Sequence, residues 1–77
     1  MQHVKIMKDC YVSEDQVKLY CSYSSNPIKE KVRLLKKEGK VYDFTAGRKI
    51  LTIIFLQSGE AILLNVSLET LHTRFNK

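Results

Sequence analysis

A glycine and two cationic side chains stand directly in front of the most apolar run in the chain. The sequence Thr-Ala-Gly-Arg-Lys at residues 45–49 leads into the run at residues 50–56. A turn with glycine permits close backbone approach, an arginine binds a phosphate bidentately, and a lysine adds a point charge. Arg48 and Lys49 are therefore candidate phosphate-binding residues, and Gly47 is a candidate structural residue of the turn. Two basic residues at a strand start serve solubility and edge protection equally well, so from this motif alone both interpretations stand.

The segment that must position a second group of cations is a predicted helix. Asn26 suits the N-cap, Pro27 suits the first helical position, and Gly39 can end the helix in the left-handed conformation. Its apolar side chains share one face at helical spacing: Ile28, Val32 and Leu35.

The other side of this helix carries a row of cations: Lys29, Arg33, Lys36 and Lys37. Such a row is usually a solvated face, and Glu30 and Glu38 dilute it. If the row lies beside Arg48 in the fold, the two groups together form a basic surface wide enough for a duplex backbone. Exposed Asn and Gln are few, so contacts to the DNA backbone and to DNA shape would dominate recognition.

Arrangements typical of enzymes are scarce in this sequence. It contains no Gly-rich phosphate loop, no nucleophile elbow and no His-Glu-x-x-His, and its two histidines lie near opposite ends. Asp43, just before the turn, either orients Arg48 or stabilises its own turn. We predict a protein that is not an enzyme, with no catalytic residues, no cofactor, no metal and no small-molecule substrate.

The cysteines and the hydropathy pattern favour a cytoplasmic protein. Cys10 and Cys21 lie eleven positions apart without a Cys-x-x-Cys motif, which predicts free, partly buried thiols in a reducing compartment. The N-terminal residues lack the apolar core of a signal peptide, and the run at residues 50–56 is too short to span a bilayer. We therefore predict no membrane partner.

Composition and charge favour a single basic domain over residues 1–77. Hydrophobic residues make up 44% and charged residues 27%, as in an ordinary globular protein. The net charge of +5 and the pI of about 9.4 favour nucleic acid, an anionic membrane surface or an acidic protein as partner. A monomer would make few phosphate contacts, whereas several copies on one duplex multiply them, so we expect a homo-oligomer.

The periodicity predicts an α+β fold with a mostly antiparallel sheet and two helices. Predicted extended segments cover residues 4–6, 11–12, 17–23, 41–44, 50–56 and 61–66, with a hairpin turn at residues 57–60. Ser67 is predicted to cap a closing helix. Its core-facing residues are predicted to be Leu68, Leu71 and Phe75, and its C-terminal cations His72, Arg74 and Lys77.

From Tyr11 to Phe75 the chain resembles, without a gap, the RemA family of small bacterial regulators of extracellular-matrix and biofilm genes. The order and spacing of several segments carry the resemblance: Asn-Pro-Ile-Lys at residues 26–29, Gly39, Asp-Phe-Thr-Ala-Gly-Arg-Lys at residues 43–49, the apolar strand after it, and Leu-Glu-Thr-Leu-His-Thr-Arg at residues 68–74.

The resemblance implies a LytTR-like fold and a double-stranded DNA-binding transcriptional regulator that assembles into rings along a bent duplex. It implies association with the nucleoid. The family's paired arginines after the turn glycine match Arg48 and Lys49, which gives these two residues the phosphate-contacting role. The resemblance also implies a structural role for Pro27, which occupies the family's helix-opening position.

The sequence departs from the family at three places. Met-Lys-Asp-Cys at residues 7–10 replaces the family's Gly-Phe-Gly-Asn, Gln16 occupies a basic position, and Lys49 lacks the planar geometry of arginine. If the first two positions help to build the ring, this protein either assembles differently or is a divergent relative.

An interaction module of another class is the alternative. Its basic face would bind an acidic protein partner, and tyrosines, which are favoured in interface cores, would be its anchors. They are Tyr11, Tyr20, Tyr23 and Tyr42. Nucleic acid that copurifies with the protein would favour the DNA-binding hypothesis instead.

Overall fold

The computed structural model describes residues 2–76 and shows six strands and two α-helices. In chain order these are β1 (His3–Met7), β2 (Cys10–Ser13), β3 (Val17–Ser22), α1 (Asn26–Lys37), β4 (Val41–Asp43), β5 (Thr52–Leu56), β6 (Ala61–Leu64) and α2 (Leu68–Phe75). A short 3-10 turn at Glu14–Gln16 links β2 to β3.

A four-stranded sheet with the order β3-β5-β6-β4 forms the middle layer of the molecule. Strands β3, β5 and β6 pair antiparallel, whereas β4 pairs parallel with β6. β1 and β2 form a separate antiparallel hairpin. The prediction of an α+β domain with a mostly antiparallel sheet is confirmed.

The sheet buries apolar side chains on both faces. On one face α1 contributes Val32 and Leu35 to a cluster with Ile53 and Leu63. On the other face the β1–β2 hairpin and α2 pack around Ile54 and its neighbours; the buried members are Ile6, Ile54, Ile62, Leu64 and Leu71. Successive strand residues point to opposite faces, so a strand covered on both sides carries apolar residues in both alternate sets, as residues 53–56 do. β5 begins at Thr52, two residues later than the predicted strand at residues 50–56.

Helix α1 begins one residue earlier than predicted. Ser25 is the N-cap residue with extended backbone, and its carbonyl accepts the first helical hydrogen bond from the Lys29 N–H at 3.1 Å. Asn26 is therefore the first helical residue, and the prediction that it caps the helix is wrong. Pro27 lies in the first turn, where a backbone N–H would have no helical acceptor, so its missing N–H costs nothing. Gly39 follows the helix with a φ of +70°.

Helix α2 is capped as predicted, because the Ser67 hydroxyl accepts a hydrogen bond from the Thr70 N–H at 3.2 Å. Leu71 is fully buried, and Phe75 stacks on Tyr20 with ring centroids 4.6 Å apart. Leu68 is 39% exposed, so the prediction that it faces the core is wrong. The first turn of α2 borders an open depression beside Tyr20, which leaves Leu68 partly uncovered.

The last turn of α2 contains His72 and Arg74, as predicted, while Lys77 lies outside the described residues. Cys10 and Cys21 are free and half-buried on opposite faces of the sheet, and burial raises the pKa of the Cys21 thiol. Within residues 2–76, no helix has both the length and the apolar character that crossing a membrane requires.

Candidate nucleic-acid interface

The turn before β5 has a left-handed backbone at two consecutive positions. Ala46 has a φ of +54° and Gly47 a φ of +80°, and the Arg48 N–H donates to the Thr45 carbonyl at 3.0 Å. Positive φ at both central residues is the pattern of a type I′ turn. No atom lies within 4 Å of the position of a Cβ at Gly47, so the turn needs glycine for its conformation and not for space.

Asp43 stabilises this turn through Thr45. Its Oδ1 atom accepts hydrogen bonds from the Thr45 N–H at 3.0 Å and from the Thr45 hydroxyl at 2.6 Å. These bonds lower the pKa of the Asp43 carboxyl below its ordinary value, and the charge of Lys36 adds to the effect. Of the two roles considered for Asp43, the structure therefore shows the one in its own turn.

The backbone after Arg48 is fixed by three hydrogen bonds from other segments. The Asn65 side chain donates to the Lys49 carbonyl at 2.6 Å, and the Leu51 N–H donates to the Leu64 carbonyl at 2.9 Å. The Leu51 carbonyl in turn accepts from the Tyr23 N–H at 3.0 Å. Asn65 was not among the site residues predicted from the sequence, although a polar residue directly after a fully buried strand is a signal for a backbone contact of this kind.

Arg48 and Lys49 are exposed and their charges are not compensated by ion pairs. The two ion pairs found within residues 2–76 are Arg33 with Glu30 and Lys40 with Glu38. Two cationic side chains are thus presented from a backbone that is held on both sides. This arrangement suits contact with an anion, because only the side chains have to be ordered on binding.

The N-terminal end of α1 lies at the same end of the sheet as this turn. β3 ends beside the start of β5, where Ser22 pairs with Thr52, and α1 follows at once. The Lys29 ammonium lies 5.8 Å from the centroid of the Tyr23 ring. Lys37 is eight residues further along, about 12 Å down the helix axis. The structure thus brings Lys29 to the end that carries the turn, whereas Lys37 lies nearer the other end.

Two of the four predicted α1 cations have acidic neighbours. Arg33 donates to Glu30 through both Nε, at 3.2 Å, and Nη2. These hydrogen bonds lower the pKa of the Glu30 carboxyl and raise the pKa of Arg33. The positive charge of Lys36 helps to lower the pKa of the Asp43 carboxyl. Lys29, which lies at the end of the sheet that carries the turn, is therefore the strongest candidate of this row for background attraction to an anion.

Nothing in the geometry suggests a metal centre. Among residues 2–76 no group of three or more His, Cys, Asp or Glu side chains is arranged to hold a metal ion. The basic turn and the α1 cations are therefore the candidate site among the described residues.

Two curated bacterial proteins are similar to this chain. A protein of Finegoldia magna is 32% identical over 66 residues, which cover 86% of this chain and 80% of that protein. A protein of Kosmotoga olearia is 36% identical over 61 residues, which cover 79% of this chain and 62% of that protein. The name of each assigns it a regulatory role provisionally.

The RemA-like family, described as extracellular matrix regulatory protein A-like, has a family model that matches residues 3–75. This match includes every strand and helix of the structure. The chain belongs to the RemA-like family of regulatory proteins.

Proposed function

We propose that this protein is an oligomeric transcriptional regulator that binds double-stranded DNA and controls extracellular-matrix and biofilm genes in the cytoplasm, in association with the nucleoid. Arg48 and Lys49 contact the phosphate backbone, and the α1 cations add long-range attraction. Membership of the RemA-like family supports the regulatory role. The net charge of +5 supports an anionic partner.

The observation that carries the proposal is the state of Arg48 and Lys49. Both are exposed, and their backbone is held in place. The Asn65 side chain donates to the Lys49 carbonyl, the Arg48 N–H donates to the Thr45 carbonyl, and the Thr45 N–H donates to Asp43. Phosphate contacts position a protein on a duplex without reading its sequence, and arginine and lysine supply most of them. A pair of unneutralised cations on a firmly held backbone beside a turn is suited to that task.

A single chain offers too few such contacts for firm binding, so the proposal includes self-association, in the form of a ring. Both edge strands of the sheet carry exposed apolar side chains. On the β3 edge Leu19 is 44% exposed, and on the β4 edge Tyr42 and Phe44 are 44% and 38% exposed. These edges are the surfaces that we assign to contacts between copies.

The test is a double change, Arg48→Gln with Lys49→Gln, measured by fluorescence anisotropy on a labelled duplex over a range of salt concentrations. The plot of log affinity against log salt has a negative slope, and each lost phosphate contact reduces its magnitude by about 0.9. Loss of two contacts per subunit therefore reduces the magnitude by about 2 per bound subunit. We expect weaker binding, a shallower salt slope and an unchanged molar mass.

The matched control is Lys8→Gln with Lys40→Gln, which removes the same charge from the β1–β2 turn and from the residue after Gly39. We expect this variant to bind the duplex with a nearly unchanged slope. Equal loss in both variants would mean that only net charge matters. Undiminished binding by the Arg48 and Lys49 variant would reject the assigned role, and an absence of duplex binding by the unaltered protein would favour an acidic protein partner.

A further inference from the structure

Arg74 has a terminal nitrogen that is buried and lacks a hydrogen-bond partner. Its Nη1 atom is the one buried side-chain nitrogen or oxygen in residues 2–76 without any partner. Leaving a buried donor of a charged group unpaired is costly, so such atoms are rare in native structures. An ordered water, an ion or local strain accounts for such a donor.

The same arginine lines a surface depression of about 410 Å³ between the β1–β2 hairpin and α2. The residues around it are Gln2, His3, Val4, Lys5, Tyr11 and Arg74. The set contains two permanent cations, an imidazole and an amide, and it contains no carboxylate. Neither Arg74 nor Lys5 takes part in the ion pairs of the described residues.

The hairpin register places the cationic and aromatic walls side by side. Lys5 of β1 is directly opposite Tyr11 of β2, and Lys5 and His3 share the face away from the buried Val4. Tyr11 is 61% exposed, the highest exposure of any large hydrophobic side chain in the described part of the chain. An exposed aromatic ring beside two cations provides a stacking surface next to a site for negative charge.

We propose that this depression binds a phosphate group, with the Arg74 guanidinium as its main contact and Lys5 as a second cation. Arginine binds phosphate through paired N–H groups, and in the described residues no ion pair competes for the Arg74 guanidinium. The phosphate belongs either to a nucleotide whose base stacks on Tyr11 or to the backbone of a bound duplex. The volume is sufficient for a small ligand of nucleotide size.

This site is separate from the proposed DNA-contacting turn. The hairpin and α2 cover the face of the sheet opposite α1, and none of the residues around the depression belongs to the segment at residues 43–51. The proposal of a phosphate site is therefore independent of the roles of Arg48 and Lys49, and its first test needs no DNA.

The first test is thermal unfolding of the full chain in sodium phosphate and in sodium chloride at equal ionic strength and pH. A ligand that binds only the folded state raises its Tm, and phosphate also stabilises proteins generally by exclusion from their surface. The comparison between variants removes the general effect. We expect phosphate to raise the Tm of the unaltered protein and of Lys8→Gln more than that of Arg74→Gln or Lys5→Gln.

Lys5 is exposed, so Lys5→Gln keeps the test decisive even if Arg74→Gln folds poorly. In chloride alone Arg74→Gln should be no less stable than the unaltered protein, because it loses an unpaired buried charge and no hydrogen bond from Nη1. Equal phosphate shifts in all four proteins would overturn the proposal, since only the general effect would then remain.

A second pair of measurements identifies the source of the phosphate. Adenosine monophosphate is titrated by calorimetry, and a duplex is titrated in rising salt, each against Arg74→Gln and Lys8→Gln. Loss of nucleotide binding in Arg74→Gln alone assigns the site to a free nucleotide. A salt slope reduced by about 1 per bound subunit in Arg74→Gln alone assigns it to the duplex. If neither measurement separates the two variants, the proposal is wrong.

Discussion

Asp43 accepts two hydrogen bonds from Thr45, so its carboxylate determines how firmly the basic turn is held. Asp43→Asn keeps an acceptor but loses the charge, and we expect a loss of about 1 kcal/mol of unfolding free energy at neutral pH. The measurement is urea unfolding. Asp9→Asn, at the other tight turn where Asp9 has a φ of +60°, removes the same charge and should cost less.

The pH dependence of this effect has a defined sign. The pKa of Asp43 is lowered in the folded protein from its ordinary value of 3.8, so its contribution is complete above that value. As the pH falls below 3.8 and through the folded pKa, the unaltered protein loses the contribution. The stability difference between the unaltered protein and Asp43→Asn should therefore shrink in acid. A difference that stays constant to pH 2 would contradict the assigned role of the charge.

Gly47 and Ala46 allow a test of the turn backbone itself. A side chain at the Gly47 φ of +80° strains the backbone, so Gly47→Ala should cost about 1 kcal/mol. Ala46 already bears this strain at a φ of +54°, and Ala46→Gly should leave stability nearly unchanged because relieved strain offsets added freedom in the unfolded chain. Both are measured by urea unfolding; a Gly47→Ala variant as stable as the unaltered protein would show that the turn tolerates a side chain at both positions.

At the scale of single residues, the sequence predicted the environment of those side chains whose neighbours are close in the chain. Arg48 and Lys49 are exposed as expected, and Glu30 neutralises Arg33 because three residues separate them on one helix. The roles of Asn65 and Arg74 depend on segments far away in the chain. A local pattern can mark such a residue, as the position of Asn65 directly after a buried strand does, but it does not give the distant partner, which only the structure shows.

The two helices differ in how their first turns are capped. Ser67 caps α2 with its side chain, whereas Ser25 makes no side-chain bond at the start of α1. We expect Ser67→Ala to cost about 1 kcal/mol of unfolding free energy and Ser25→Ala much less. Chemical unfolding followed by circular dichroism measures both. Equal losses would mean that Ser67 contributes by other means than its bond to Thr70.

Elements were predictable where one short-range signal decided them. Alternation identified β3, and Pro27 with Gly39 bracketed α1 to within one residue at its start. The parallel pairing of β4 with β6 was not predicted, because it joins segments separated by a whole hairpin strand. Leu68 was misplaced for a related reason, since helical periodicity gives the direction of a side chain but not whether another layer extends over it.

The whole molecule presents two different surfaces at the two edges of its sheet. Leu19 on the β3 edge lies in a groove of about 300 Å³ with Ile28 and Phe55, and Lys18 and Lys31 line the same groove. Near the β4 edge, Tyr42 donates to Glu60, and Asp43 lies next to it. Apolar side chains lie on both edges. Lysines line the groove on the β3 edge, whereas the carboxylates of Glu60 and Asp43 lie near the β4 edge, where Lys36 and Lys40 are also close. In the proposed oligomer, this partial complementarity favours contact between the unlike edges of successive copies.

A change at Leu19 should therefore lower the molar mass measured by light scattering. Leu19→Lys adds a cation to a groove already lined by lysines, and we expect monomers that bind the duplex weakly despite an intact Arg48 and Lys49. Leu34→Lys is the matched control, because Leu34 on α1 is also 44% exposed. An unchanged mass for Leu19→Lys would remove the β3 edge from the assembly.

Mixing two variants distinguishes a head-to-tail assembly from a symmetric dimer. In a head-to-tail ring, Leu19→Lys retains a working β4 edge and Tyr42→Lys retains a working β3 edge. Each variant alone should be monomeric, while their mixture should give one species of twice the 9.0 kDa chain mass. This species cannot grow, since its two outer edges both carry the new lysine and repel a further copy. If like edges paired instead, each variant would still dimerise through its unaltered edge and mixing would change nothing.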